Sequence, residues 1–153
     1  MPPRFAPPPG PALDLEEVIA RLEEGGVDLS HPDRVEAGAA LLAGLAQNPD
    51  FLGDRIIAAL KQGYGDQANA NRYSAQVFLL HRSRRRWYMR ANMWPAERDA
   101  AYIASGPRPF AYDLPHDHHF TFLTVGYFGP GYVSDYYEWD GEVAEGLIGE
   151  DAR

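Results

Sequence analysis

Residues 115–140 read PHDHHFTFLTVGYFGPGYVSDYYEWD, and how this stretch pairs with itself decides what fold the chain can build. Two runs rich in aromatic and β-branched residues flank Gly129-Pro130-Gly131. That tripeptide is a tight-turn signal, so the stretch predicts a β-hairpin. Side chains alternate across a strand. His116 and His118 are therefore expected on one face with Phe120 and Phe122, and Asp117 and His119 on the other. Two imidazoles spaced about 7 Å along one strand face can both reach one ion, which makes His-x-His a recurrent metal clamp.

The chain holds no cysteine. A disulfide framework, a thiolate metal site and a cysteine nucleophile are thereby excluded, and any metal must be held by nitrogen and oxygen. A third ligand is expected from the partner strand, where folding about Gly129-Pro130 sets Glu138 near Thr121 and Asp140 near His119. Glu138 is the expected carboxylate ligand, with Asp140 and then Asp135 behind it. Two histidines and one carboxylate leave coordination positions open for water, substrate or dioxygen. The same residues also fit a polar strand end whose imidazoles cap carbonyls, or a metal-free general base oriented by Asp117 or Glu138.

Upstream, Tyr73 to His81 and Arg86 to Trp94 are apolar and aromatic without a 3.6-residue repeat. They predict a hairpin, Ser74–His81 with Arg86–Met93, turned by Arg82-Ser83-Arg84-Arg85 and broken after Trp94 by Pro95. Residues 96–109 read as a loop with one helical turn, and Pro109–Asp113 as a further short strand. Before Gly65 the period is helical. Leu15, Val18, Ile19 and Leu22 mark one helix, ended by Gly25-Gly26. A second is expected to open at Ser30 and run through Leu45; a third opens at Asn48-Pro49, with Phe51, Ile56 and Leu60 on its buried side and Gly63 after its end. The expected organisation is a disordered proline-rich tail (1–12), a helical segment (13–63), an antiparallel β region (70–142) and a flexible acidic tail (143–153).

The helical first part, the strand carrying His-x-His and the Gly-Pro-Gly-Tyr hairpin together resemble the first metal-binding motif of the cupin superfamily, whose fold is a double-stranded β-helix. The likeness covers roughly Ser74 to Asp140 and maps the paired histidines of that family onto His116 and His118. Where the family's glutamate follows, this chain has Phe122, Leu123 and Thr124, and no histidine occurs after His119. The resemblance implies an α+β chain whose sheet is part of a cupin barrel, binding a divalent metal. Fe(II) is the first expectation, and Zn, Mn or Ni suit the same donors. It further implies an oxygenase or isomerase acting on a small anionic substrate. The residues themselves add the expected substrate-binding side chains, Arg90 and Asn92 on one face of a strand and Tyr127 among the aromatic residues that could line a pocket. The second class of reading is a non-catalytic binding or assembly module, whose aromatic sheet forms an interface between copies.

With 153 residues there is room for one domain. The net charge of −8 is unevenly spread. Residues 1–60 carry −6, residues 61–110 carry +6 and residues 111–153 carry −8. Arg84, Arg85 and Arg86 beside Trp87 could suggest nucleic acid, but the flanking acidic blocks argue against a polyanion partner. No apolar run approaches the roughly 18 residues of a membrane span, nor is there a signal-peptide pattern. The expectation is a cytoplasmic protein with a small-molecule substrate, a homo-oligomer touching neither nucleic acid nor membrane.

Overall fold

The computed structural model describes residues 3–7, 10–25, 27–65, 67, 76–116, 118 and 120–137. Helix α1 (Leu15–Gly25) buries Leu15 and Val18, with Ile19 and Leu22 packed beside them. The spacing of these four residues puts them on one stripe, the face that meets helix α2 (Pro32–Ala46) and the sheet. Close approach between the chain before α1 and the end of α2 depends on Gly44. A Cβ placed there would stand 2.7 Å from Leu13 Cδ1 and 3.2 Å from the Pro11 carbonyl oxygen, so only glycine fits without a shift. The Leu13 amide, in turn, donates to the Gly44 carbonyl at 3.0 Å.

Helix α2 begins one residue later than expected. The Asp28 carboxylate accepts hydrogen bonds from both the amide and the hydroxyl of Ser30, which holds Ser30 in a turn. His31 becomes the N-cap, with Pro32 at the first helical position and no side-chain cap bond. Ser30 also holds the Asp28 carboxyl below its usual range, because both hydrogen bonds favour the charged form. Helix α3 (Phe51–Lys61) opens where Asn48 does two tasks. Its Oδ1 accepts from the Asp50 amide at 3.1 Å, while its Nδ2 donates to the Leu13 carbonyl and the Asp14 carboxylate. One side chain thus joins the starts of α1 and α3.

Strands β1 (Val77–Arg82) and β2 (Tyr88–Asn92) form an antiparallel pair, the upstream hairpin with bounds one to three residues from those expected. The register runs from Val77 opposite Asn92 to Leu79 opposite Arg90, then slips at a bulge before His81 pairs with Met89. Phe78, 1% exposed, and Leu80 point at the helices and complete the core with Leu13, Leu15, Val18 and Leu45. Val77 and Leu79, on the other face, are buried as well. The outer edge of β1 is closed at Leu79 by a side chain: Gln67 Nε2 donates to the Leu79 carbonyl at 2.7 Å and Gln67 Oε1 accepts from the Leu79 amide at 2.9 Å. A buried amide substitutes there for a third strand.

Beyond β2 come a short helix α4 (Ala100–Ser105), as the expected helical turn, and a 3-10 turn (Arg108–Phe110). The strand expected at Pro109–Asp113 is therefore not formed. Ala111 and Asp113 take positive φ angles of 56° and 55°, which no strand accommodates. Instead Phe110 is buried, and its ring belongs to a group with Tyr102, Tyr112, Trp94 and Tyr132. Burial pushes the Tyr112 hydroxyl's pKa up, and that hydroxyl donates to the Pro95 carbonyl at 2.9 Å.

The second hairpin also departs from expectation. Gly129 and Gly131 do adopt left-handed φ angles of 76° and 80°, as a turn at Gly-Pro-Gly requires. Yet no described residue from 114 to 137 lies in a strand. The side chains dock singly instead. Leu123 Cδ2 reaches α2 beside Gly38, and Tyr127 packs edge-on against Phe51 with ring centroids 4.7 Å apart while its hydroxyl donates to the Pro49 carbonyl. Leu123 and Tyr127 are half-buried against the helical layer, and among the described residues the ladder between the two halves of the stretch is not made. The chain is thus α+β, with one two-stranded sheet among the described residues. Among those residues no helix is long and apolar enough to cross a membrane.

Candidate functional site

The stretch that was expected to bind metal brings its two key rings together without strand pairing. His116 and His118 have ring centroids 5.0 Å apart and planes at 89°. An imidazole nitrogen bonds Zn²⁺ at about 2.0–2.1 Å, so a ligated ring's centroid stands roughly 3.2 Å from the ion, and two rings meeting near the tetrahedral angle have centroids about 5 Å apart. The spacing of the pair therefore suits convergence on one ion.

The hydrogen bonding of His116 also suits a ligand. Its Nδ1 lies 2.8 Å from the Leu114 carbonyl oxygen, and since a carbonyl only accepts, Nδ1 carries the proton. In the neutral ring Nε2 then holds the lone pair, the arrangement by which a backbone carbonyl orients a metal-binding imidazole. Around His118 the chain supplies apolar rings: Phe120 and Phe122 have centroids 5.0 and 5.2 Å from it. Both histidines are exposed, on the outer side of the molecule.

Glu138, the expected carboxylate ligand, and Asp140 lie outside the described residues, as do Asp117, His119 and the acidic tail 143–153. Asp135 is described and exposed. No group of three His, Asp or Glu side chains with metal-site geometry occurs among the described residues. The other expected site residues have contacts of their own. Arg90 lies in β2 with its guanidinium 5.7 Å from the centroid of the Tyr88 ring, and Asn92 ends the same strand on the same face. No described hydrogen bond or ring contact links either to the histidine pair. Tyr127 is engaged with Pro49 and Phe51, and desolvation raises the pKa of its hydroxyl. Arg84, Arg85 and Arg86 stand exposed in the turn between β1 and β2.

A further histidine, His81, is structural. His81 Nε2 meets the Glu23 carboxylate at 2.8 Å, tying the end of α1 to β1, and its ring lies 5.0 Å from that of Trp87. Hydrogen bonds from His81 and then Ser83 lower the Glu23 pKa. Sequence reasoning did not find the partner. Glu23 sits in an ordinary helical pattern 58 residues away, and its acid neighbour Glu24 is indistinguishable from it by composition. Gln67 was missed for the same reason, since a glutamine that closes a strand edge leaves no local pattern.

Comparison with family models, with curated proteins and with solved structures gives no match. What the site can do is therefore argued from its residues.

Proposed function

We propose that this chain is a metal-binding protein in which His116 and His118 are two of the ligands. The reading is carried by the 5.0 Å spacing of the two rings, together with the protonated Nδ1 of His116. The donor set fits a divalent ion held by imidazole nitrogen, with a carboxylate from Glu138, Asp140 or Asp135 as the third ligand. Bound there, such an ion would supply a Lewis acid with open positions, the chemistry that oxygenases and isomerases with two histidines and a carboxylate employ. Phe120 and Phe122, both solvent-exposed, stand beside His118 and give the site an apolar side, while the charge of a bound cation would attract anionic ligands. A small anionic substrate is the class this arrangement favours.

The test is elemental analysis of untagged protein beside a His116→Ala/His118→Ala variant, with Co²⁺ titrated into both and followed by visible absorption. Near-stoichiometric metal and a saturable cobalt spectrum in the parent, both lost in the variant, support the reading. Metal in neither protein, with no cobalt spectrum, ends it.

A second reading has its own observation. Phe128 and Val133 are 93% and 91% exposed, and Tyr136 and Tyr137 are also well exposed. An apolar run this open is uncommon on a monomer and is characteristic of assembly surfaces. Light scattering after size exclusion separates the alternatives: a dimer dispersed by Phe128→Ser/Val133→Ser assigns the run to an interface, and a monomer in the parent removes that role.

A further inference from the structure

We propose that Arg55, on helix α3, is the anchor of a second site that binds a small oxyanion, the size of inorganic phosphate or a short carboxylate. Arg55 lines a cavity of about 80 Å³ together with Ala59, Gln62, Tyr64, Gly65 and Gln67. No acid is among the described residues of this lining. Arg55 itself is half-buried, and among the described residues it has neither an ion pair nor a hydrogen-bond partner. A guanidinium drawn partly out of water without a counter-charge is unfavourable, whereas the same group facing an oxyanion makes paired, charge-assisted hydrogen bonds. A space of this size is enough for a compact anion.

The walls are held by the fold. Gly63 and Tyr64 are both left-handed, with φ of 72° and 60°, so the chain turns back at the end of α3. For tyrosine that conformation costs free energy, and such strain collects at ligand clamps. It is maintained by the Tyr64 amide, which donates to the Ala59 carbonyl at 2.8 Å, and by the Tyr64 ring, 6.0 Å from the buried Phe78. Gln67 forms a rigid wall because both ends of its amide are bound to Leu79. Gln62 and Tyr64, which also line the cavity, carry neutral donor groups. The negative end of α3 points this way, but its last carbonyls are taken by the amides of Gln62, Gly63 and Tyr64, and Lys61 in the last turn opposes it.

This site is independent of the histidine pair and is tested without metal. Inorganic phosphate and acetate are titrated separately into the full chain at constant ionic strength, with chloride as reference, by calorimetry and by amide shifts in NMR spectra. Saturable binding of either anion, centred on residues 55–67, is expected. Saturation by phosphate alone assigns a phosphate site, and saturation by acetate alone assigns a carboxylate site. Arg55→Gln should weaken the binding at least tenfold. Arg55→Lys, which keeps the charge but not the planar fork, should weaken it less, and it keeps the proposal testable if the glutamine variant does not fold. No saturable binding of either anion, or binding unchanged in Arg55→Gln, overturns the proposal.

Discussion

Residues 77–92 and residues 114–137 start from similar material, aromatic and branched side chains interrupted by polar turns, yet the first becomes a hairpin and the second docks as an extended segment. In the first, burial is available on both faces. Phe78 and Leu80 enter the helical core, Val77 and Leu79 are covered from the other side, and Gln67 satisfies the backbone at the edge. In the second, Leu123 and Tyr127 find cover on α2 and α3, while Phe128 and Val133 remain open. Strand-forming composition is thus a statement about what a segment can do when a layer waits on each side. Where one layer waits, single anchors replace the ladder.

The largest effect should come from the core of the hairpin. Phe78→Ala removes a ring that is 1% exposed and should cost about 3–5 kcal/mol. Chemical denaturation read by circular dichroism measures it. A cost below about 1 kcal/mol would mean the hairpin is as loosely held as the 114–137 segment, and the contrast between the two would be gone. Next comes the edge. Gln67→Leu keeps the volume but leaves the Leu79 amide and carbonyl without that buried partner, at about 1–3 kcal/mol. Hydrogen exchange at the Leu79 amide should accelerate in step. If exchange there is unchanged, the edge is closed by something other than Gln67.

How much of this was legible differs between the same two regions. Helices α1 and α3 and the upstream hairpin follow from apolar period and turn residues, because each element's pattern is local. The shift of the α2 cap from Ser30 to His31 was not legible, because Ser30 is claimed by Asp28, a competition that composition does not rank. Nor was the failure of the second hairpin. Its turn glycines behave as read, but whether the two flanking runs pair depends on whether Leu123 is worth more on Gly38 than in a sheet, and that is decided by tertiary packing. The closeness of His116 and His118 was legible as a same-face pair at i and i+2, and the ring contact of 5.0 Å arises without the strand that motivated it.

A smaller effect distinguishes the two regions by pH. The Glu23 carboxyl is held below its ordinary value of 4.5 by hydrogen bonds from His81 and Ser83. A carboxylate with a depressed folded pKa adds stability that is fully present above the unfolded value and lost as pH falls through the lower, folded one. Parent protein should therefore lose stability on acidification below about 4.5 more steeply than Glu23→Gln, in which that group no longer titrates. The readout is the melting temperature of both proteins from pH 6 downwards, at matched salt. Parallel curves would detach α1 from the hairpin and leave the His81 contact without energetic weight.

The smallest effect is expected at the histidines themselves, and it sharpens the comparison most. His118 is exposed and lies against Phe120 and Phe122 in the segment that docks through few anchors. His118→Ala without metal should therefore change global stability by no more than about 0.5 kcal/mol, as surface substitutions away from a core do. In the presence of a divalent ion the parent alone should gain stability, by an amount that grows with ion concentration, because a ligand that binds only the folded form shifts the equilibrium by mass action. Thermal melts of both proteins with and without Zn²⁺ give the four values needed. A large loss in the metal-free variant would show that the His118 ring is a packing element of a third apolar cluster with Phe120 and Phe122. A small loss with a metal-dependent gain in the parent alone means that two imidazoles kept near each other on a lightly anchored segment are there to be bridged, since they add nothing to the fold that carries them.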